Sequence, residues 1–254
     1  MKHYNKLLEL GCFSRNDIAR LLGNDETAGT LLLDYQKKGY IERVRRNLYT
    51  VISIETKQPV PSRFQIGCAI FKDAVIVNHS AFEVYGYANQ VYYEVFVSSE
   101  SRFSDFSYNG VSYHRIAPKP IMDTVRVGGV RVTSLEQTVV DSIADFEKTV
   151  GLEEVLRCIM LIPALNEEKL IHILSVRGNG FLWQKCGFIL EELNGGLRLS
   201  AAFFYACRSH IAGSKRPLVK DAASPLVWNK TWDLYVPQSL HGLTDKGVHY
   251  YDAV

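Results

Sequence analysis

Apolar residues recur at helical spacing from the start of the chain: Leu7 and Leu8, then Ile18, Leu21 and Leu22, then Ala28, Leu31, Leu32 and Tyr35. The second run is the best marked. Ser14 is followed three residues on by Asp17, a capping-box pair, and Phe13 and Ile18 stand where a hydrophobic staple closes over a helix start. This predicts a helix from Ser14 to Gly23. Asn24 or Asp25 is placed to cap the next helix, which Gly39 should stop. Tyr40 to Val44 and Leu48 to Ile52 are β-prone runs flanking Arg45-Arg46-Asn47, a spacing that suits a short hairpin in which the asparagine takes an unusual backbone angle. Helix, helix, helix, hairpin is the order of a winged helix.

The polar stretch Glu55 to Pro61 carries two prolines and reads as a boundary. Beyond it the periodicity predicts a short helix over His79 to Gly86, strands over Tyr92 to Ser98, Val111 to Ala117 and Val130 to Ser134, and a helix from Leu135 to Phe146. From Gly151 onward four amphipathic runs follow: Leu152 to Leu161, Asn166 to Val176, Phe181 to Leu193 and Leu199 to Ile211. Pro163, Gly178 and Gly195-Gly196 break them, and they should pack as a bundle. The aromatic tail, with Trp228, Trp232, Tyr235, Tyr250 and Tyr251, is expected to be strand-like and folded back on the body. The expected fold is α+β: a winged helix-turn-helix at 1–57, a mixed α/β unit at 58–150 and a mostly helical region at 151–254. The last two are alternatively one domain, 58–254.

Composition narrows this only a little. With 254 residues, 47% hydrophobic and 22% charged, the chain is an ordinary globular one. No run approaches the roughly 18 to 20 apolar residues of a membrane span, and the start lacks a signal peptide's apolar core, so a cytoplasmic location without a membrane partner is expected. The five cysteines, Cys12, Cys68, Cys158, Cys186 and Cys207, are widely spaced among apolar neighbours and read as reduced core thiols. A net charge of +2 means that any nucleic-acid footprint must be local.

One such footprint falls on the winged helix. Between Asp34 and Asn47, five basic residues (Lys37, Lys38, Arg43, Arg45, Arg46) meet two acidic ones (Asp34, Glu42), a local +3. Opposite the apolar stripe of the third helix lie Glu26, Thr30, Leu33 and Lys37, with Thr27 beside them. A threonine can bond a base edge or touch a thymine methyl, and leucine can do only the latter. Arginines at a hairpin tip reach phosphates or a narrow minor groove. The DNA-contact candidates are therefore Thr27, Thr30, Lys37, Arg43, Arg45, Arg46 and Asn47. A solvated or protein-binding wing is the plainer alternative. A second basic cluster, Arg208, Lys215, Arg216 and Lys220, is opposed locally only by Asp221 and would extend a DNA track, dock an acidic partner, or be simply solvated.

Catalytic readings find less support. His79 and Ser80 are neighbours that point about 100° apart on a helix with no identifiable acid, which favours a capping or packing histidine. Glu136 and Asp141, five apart, do not share a face, and Glu136 is expected to cap or to pair with an arginine such as Arg131. There is no phosphate-binding GxxxxGK[ST] loop, no GxGxxG, no HExxH and no cysteine pair at zinc-finger spacing, so neither enzyme chemistry, cofactor nor metal is expected. A nuclease would need a lysine where Phe96 follows Glu94. Gly213-Ser214 lacks the paired aspartates by which a nucleotidyltransferase holds magnesium.

Three segments in order, Lys37 to Thr50 (KKGYIERVRRNLYT), Val77 to Gly86 (VNHSAFEVYG) and Thr133 to Asp141 (TSLEQTVVD), resemble landmarks of the AbiEi family. They span the first 141 residues and leave the C-terminal hundred uncovered. The resemblance implies an antitoxin of a type IV toxin–antitoxin system linked to abortive phage infection. In such a protein a winged helix represses its own operon, and the C-terminal part counteracts a nucleotidyltransferase toxin. The implied partners are double-stranded DNA, its own operator, and that toxin, met directly or through a shared target. The alternative is a stand-alone winged-helix regulator or a protein-interaction scaffold with no toxin.

Overall fold

The computed structural model describes residues 3–120, 123–211, 213, 215–220, 225–240 and 242. The chain divides into two compact units, Met1–Ile76 with Tyr92–Pro118 and Arg126–Val132, and Val77–Val91 with Lys119–Val125 and Thr133–Val254. These divisions do not follow the expected cuts after residues 57 and 150, because the middle of the chain contributes segments to both units.

The first unit opens with α1 (Tyr4–Leu10), β1 (Cys12–Phe13), α2 (Arg15–Leu22), α3 (Asp25–Lys37), β2 (Ile41–Arg45) and β3 (Leu48–Val51). The three strands form a sheet in the order β1-β3-β2, and with the helices they make a winged helix. Local chemistry places the helix ends. The Ser14 side chain accepts from the Asp17 backbone N–H while the Asp17 carboxylate accepts from the backbone N–H of Ser14, and Gly23 closes α2 in the left-handed region. Asn24 caps α3 by accepting from the Thr27 backbone N–H. Tyr4, Leu7, Phe13, Ile18, Ala28, Leu32, Tyr35, Ile41 and Val51 bury one small core drawn wholly from this segment.

The stretch read as a boundary is a tight turn. The Ser53 N–H donates to Gln58 O and the Val60 N–H to Val51 O, so the segment folds back along β3. Next come α4 (Arg63–Cys68), which the proline-rich reading passed over, then β4 (Val75–Ile76), β5 (Glu94–Ser98), β6 (Phe106–Tyr108), β7 (Val111–Ile116), β8 (Thr124–Val127) and β9 (Val130–Thr133). They form a six-stranded sheet in the order β6-β7-β5-β4-β9-β8. Strands β5 and β7 are parallel with Val95 opposite Tyr113, and β4 is antiparallel to β5 and parallel to β9. Helix α4 lies close on this sheet through Gly67, where an added Cβ would stand 2.9 Å from Ile76 Cδ1.

The second unit holds α5 (Asn78–Tyr85), α6 (Leu135–Asp145) with a single 3-10 turn after it, α7 (Gly151–Met160), α8 (Glu167–Arg177), α9 (Gly180–Glu192), α10 (Asn194–Leu197) and α11 (Ala201–Ser209). A small sheet, β10 (Arg216–Pro217), β11 (Leu226–Asn229) and β12 (Leu234–Pro237), follows in the order β10-β12-β11. The bundle is thus helical with a strand-forming tail; Tyr250 and Tyr251 lie outside the described residues. Trp232 anchors the tail. Its indole sits against Gly187 of α9, where a Cβ would fall 2.1 Å from the ring, and its Nε1–H donates to Glu191 Oε2 at 2.7 Å.

The two acidic side chains of α6 find separate partners. Glu136 accepts from the backbone N–H of Asn166 at 2.9 Å and so holds the start of α8, while Arg131 donates to Lys72 O. Partners 30 and 59 residues away took the place of the near one. Asp141 pairs with Arg177 inside the bundle, and burial pushes its carboxyl above the usual range despite that cation.

Candidate nucleic-acid interface

Helix α3 buries Ala28, Leu32 and Tyr35 and turns Glu26, Thr27, Thr30, Leu33 and Lys37 to solvent. Leu33 is 63% exposed on this outward face. The Thr30 hydroxyl donates to Glu26 O at 3.2 Å, so its lone pairs and methyl are what it offers outward. Lys37 is exposed without an ion pair among the described residues, whereas Lys38 pairs with Asp34 at 2.7 Å. Arg15 fixes the helix start by an ion pair to Asp25 at 2.6 Å.

The wing does not bring its three arginines together. Strand β2 shifts register between Arg43 and Arg45, an irregularity that re-aims the side chains after it. Arg43 is exposed and its Nε–H donates to Arg45 O at 3.2 Å, arching along its own strand. Arg45 turns inward. Its guanidinium lies 5.8, 5.4 and 5.2 Å from the ring centres of Phe71, Phe103 and Phe106, and its Nη1 is buried without a hydrogen-bond partner among the described residues. A cation seated on three π faces inside the first unit is packing the wing. Arg46 is exposed at the tip with no ion pair among the described residues. Asn47 takes the left-handed backbone (φ 58°) and its Oδ1 accepts from the Arg15 backbone N–H at 3.1 Å, tying the wing tip to the start of α2.

Beside the tip opens a cleft of about 600 Å³ whose lining includes Asp17, Arg20, Arg46, Asn47 and Lys72. Arg20 pairs with Asp17 at 3.5 Å. Capping and nearby cations hold the Asp17 carboxyl below its usual value against the opposing effect of burial. Lys72 has no local pattern to mark it in the sequence, because it lies beyond the winged helix predicted at 1–57. The result is a surface with Thr27, Thr30, Leu33 and Lys37 on one helix and Arg46 and Lys72 at a neighbouring cleft.

The second basic cluster is built differently. Arg208 pairs with Glu191 at 3.1 Å and lies 5.4 Å from the Trp232 ring. Lys215 sits over Trp228, Arg216 over Phe181, and Lys220 lies 3.6 Å from Glu147. Each cation has a partner remote in sequence; Asp221 lies outside the described residues.

His79 lies on α5, 1% exposed, with Nε2 3.1 Å from Glu154 Oε1. All five cysteines are free. Among the described residues no helix is long and apolar enough to cross a membrane.

Comparison with known proteins bears on both parts of the chain. No curated protein sequence matches it. Its fold is similar to that of the RV2827C protein from Mycobacterium tuberculosis, with a TM-score of 0.64 at 14% identity over 92% of this chain and 89% of that one. Residues 7–52, the segment that forms the winged helix, match the family described as "Transcriptional regulator, AbiEi antitoxin". In this segment the chain is therefore similar to the winged helix of AbiEi antitoxin transcriptional regulators.

Proposed function

We propose that the chain represses its own operon by laying α3 in the major groove of the operator and is the antitoxin to a nucleotidyltransferase toxin. The observation that carries the DNA reading is the outward face of α3, where Thr27, Thr30, Leu33 and Lys37 stand exposed on a helix whose other face is locked into the core. Thr30 and Leu33 read bases, Leu33 through a thymine methyl, while Lys37 and Arg46 bind phosphates and Lys72 extends that track. Arg43 lies along the wing edge within reach of the backbone. Arg45 and Asn47 act indirectly, as the two side chains that hold the wing in place. The basic cluster of Arg208, Lys215, Arg216 and Lys220 is a bundle-side surface for the toxin or a shared target, in a protein that works in the cytoplasm.

Fluorescence anisotropy with the duplex upstream of the gene, beside a shuffled duplex of equal length, tests this. Operator binding is expected to be roughly 10³-fold or more tighter than shuffled binding at physiological salt. Equal affinity for both duplexes removes the operator-reading role. Co-expression with the neighbouring gene product, scored as growth, tests the antitoxin half separately.

A further inference from the structure

Helices α5 and α7 each place an i, i+4 pair toward the interior of the second unit, His79 with Glu83 and Glu154 with Cys158. His79 is 1% exposed, Glu154 3% and Cys158 fully buried, and the Glu83 side chain is 5% exposed. His79 Nε2 lies 3.1 Å from Glu154 Oε1, Cys158 Sγ lies 3.5 Å from the same oxygen, and the three donors fall within 4.8 Å of one another. In a tetrahedral zinc centre, bonds of about 2.0–2.1 Å to nitrogen or oxygen and about 2.3 Å to sulfur set N···O near 3.3 Å and S···O near 3.6 Å. The nitrogen–oxygen and sulfur–oxygen separations lie close to that frame, and the nitrogen and sulfur donors, within 4.8 Å of each other, need only draw together to close it.

Two further features belong to the same cluster. His79 Nδ1 faces Glu83 Oε1 at 3.4 Å, so a carboxylate stands behind the ring nitrogen that points away from the other donors. Acids in that place fix the ring and its tautomer in metal-binding histidines. Glu154 Oε2 is buried and has no hydrogen-bond partner among the described residues, although Oε1 also accepts from the Gln90 backbone N–H. A buried carboxylate oxygen left over beside a nitrogen and a sulfur donor is a free ligand position.

We propose that His79 Nε2, Glu154 and Cys158 Sγ bind one divalent transition-metal ion of the zinc class, with Glu83 as the positioning residue. The mixed nitrogen, oxygen and sulfur set suits zinc and excludes magnesium and calcium, which take oxygen. Imidazole, carboxylate and thiolate together balance the +2 charge. Metal-free, burial pushes the Cys158 thiol well above its ordinary value, so it carries a proton. On binding, that proton leaves to solvent and the imidazole proton stands on Nδ1 toward Glu83. Glu154 Oε2 or a solvent oxygen completes the coordination. The ion staples α5 and the 86–91 loop to α7. The ligands are 75 and 79 residues apart in sequence, which is why no spacing motif announced them.

The test uses the full-length chain isolated from cells grown with added zinc, and the same chain incubated with cobalt(II) alone. The expected result is one zinc per chain surviving desalting, a higher Tm with metal than after chelation, and a cobalt–thiolate charge-transfer band in the near ultraviolet. Cys158→Ala, a small change within a helix, should keep the circular dichroism of the parent and lose that band. Glu83→Gln should keep the band and weaken affinity about 10- to 100-fold. A folded protein that retains no stoichiometric metal, or one whose bound cobalt shows no thiolate band or is indifferent to Cys158→Ala, overturns the site.

Discussion

Lys37 and Arg46 on the winged helix and the four cations Arg208, Lys215, Arg216 and Lys220 look alike in the sequence as two basic clusters, yet they stand in opposite states. The first two have no ion pair among the described residues, whereas each of the four lies against a carboxylate or an aromatic ring. A free cation can release condensed counterions when it meets phosphate, but one already paired must first give up its partner. Local charge is therefore a weak guide to a nucleic-acid footprint until the rest of the fold is known. Arg45 makes the same point within a single hairpin, one residue from Arg46 and turned onto three phenylalanines.

The largest expected effect probes the bundle side of this contrast. Gly187→Ala drives a methyl into the Trp232 ring that also carries Arg208. Expelling the indole should cost about 3 to 5 kcal/mol, seen as a lower denaturation midpoint by circular dichroism, with the winged-helix core untouched. A midpoint equal to the parent's would mean that Trp232 does not lie there. Next, Lys37→Ala with Arg46→Ala should lower the slope of log affinity against log salt by roughly two on operator and shuffled DNA alike. Arg208→Ala with Lys220→Ala should leave it unchanged. If the two double variants lose equally, the contrast between the clusters fails.

Thr30→Ala should weaken operator binding by about 1 to 3 kcal/mol and shuffled DNA much less, since a base contact and not a phosphate is removed. Equal losses on both duplexes would make Thr30 a positioning residue. Smallest is Arg45→Ala, expected to lower the stability of the first unit by about 0.5 to 1 kcal/mol through the lost cation–π contacts while leaving the salt slope as it was. A slope that falls with Arg45→Ala as it does with Arg46→Ala would place that guanidinium on DNA.

The turn at 53–60 also changes what truncation means. A winged helix with its own core ought to be removable at the boundary near Glu55 to Pro61, but here Tyr108 donates to Glu42 and Asn109 to Gln58 within the first unit, and Arg45 fills an aromatic cage. Cutting before Pro59 strips those partners and leaves Phe71, Phe103 and Phe106 without the cation above them.

What could be read from the sequence alone was local. The Ser14 and Asp17 capping box, the Asn24 cap, the left-handed Asn47 and the order of the winged helix all depend on groups within four residues of one another, where chain geometry dictates which atoms meet. Even α4 had its signal, a Ser62 and Gln65 capping box, obscured by the prolines before it. The rest was settled across space. The register shift in β2 decided which arginine faces the sheet, Glu136 was given the start of α8 to cap in place of Arg131 to pair with, and remote carboxylates and rings claimed the second basic cluster. His79, Glu154 and Cys158 meet only because α5 and α7 both pack against α6. A side chain's partner beyond one helical turn is set by how whole elements bury their apolar faces, and that choice is made by the tertiary fold.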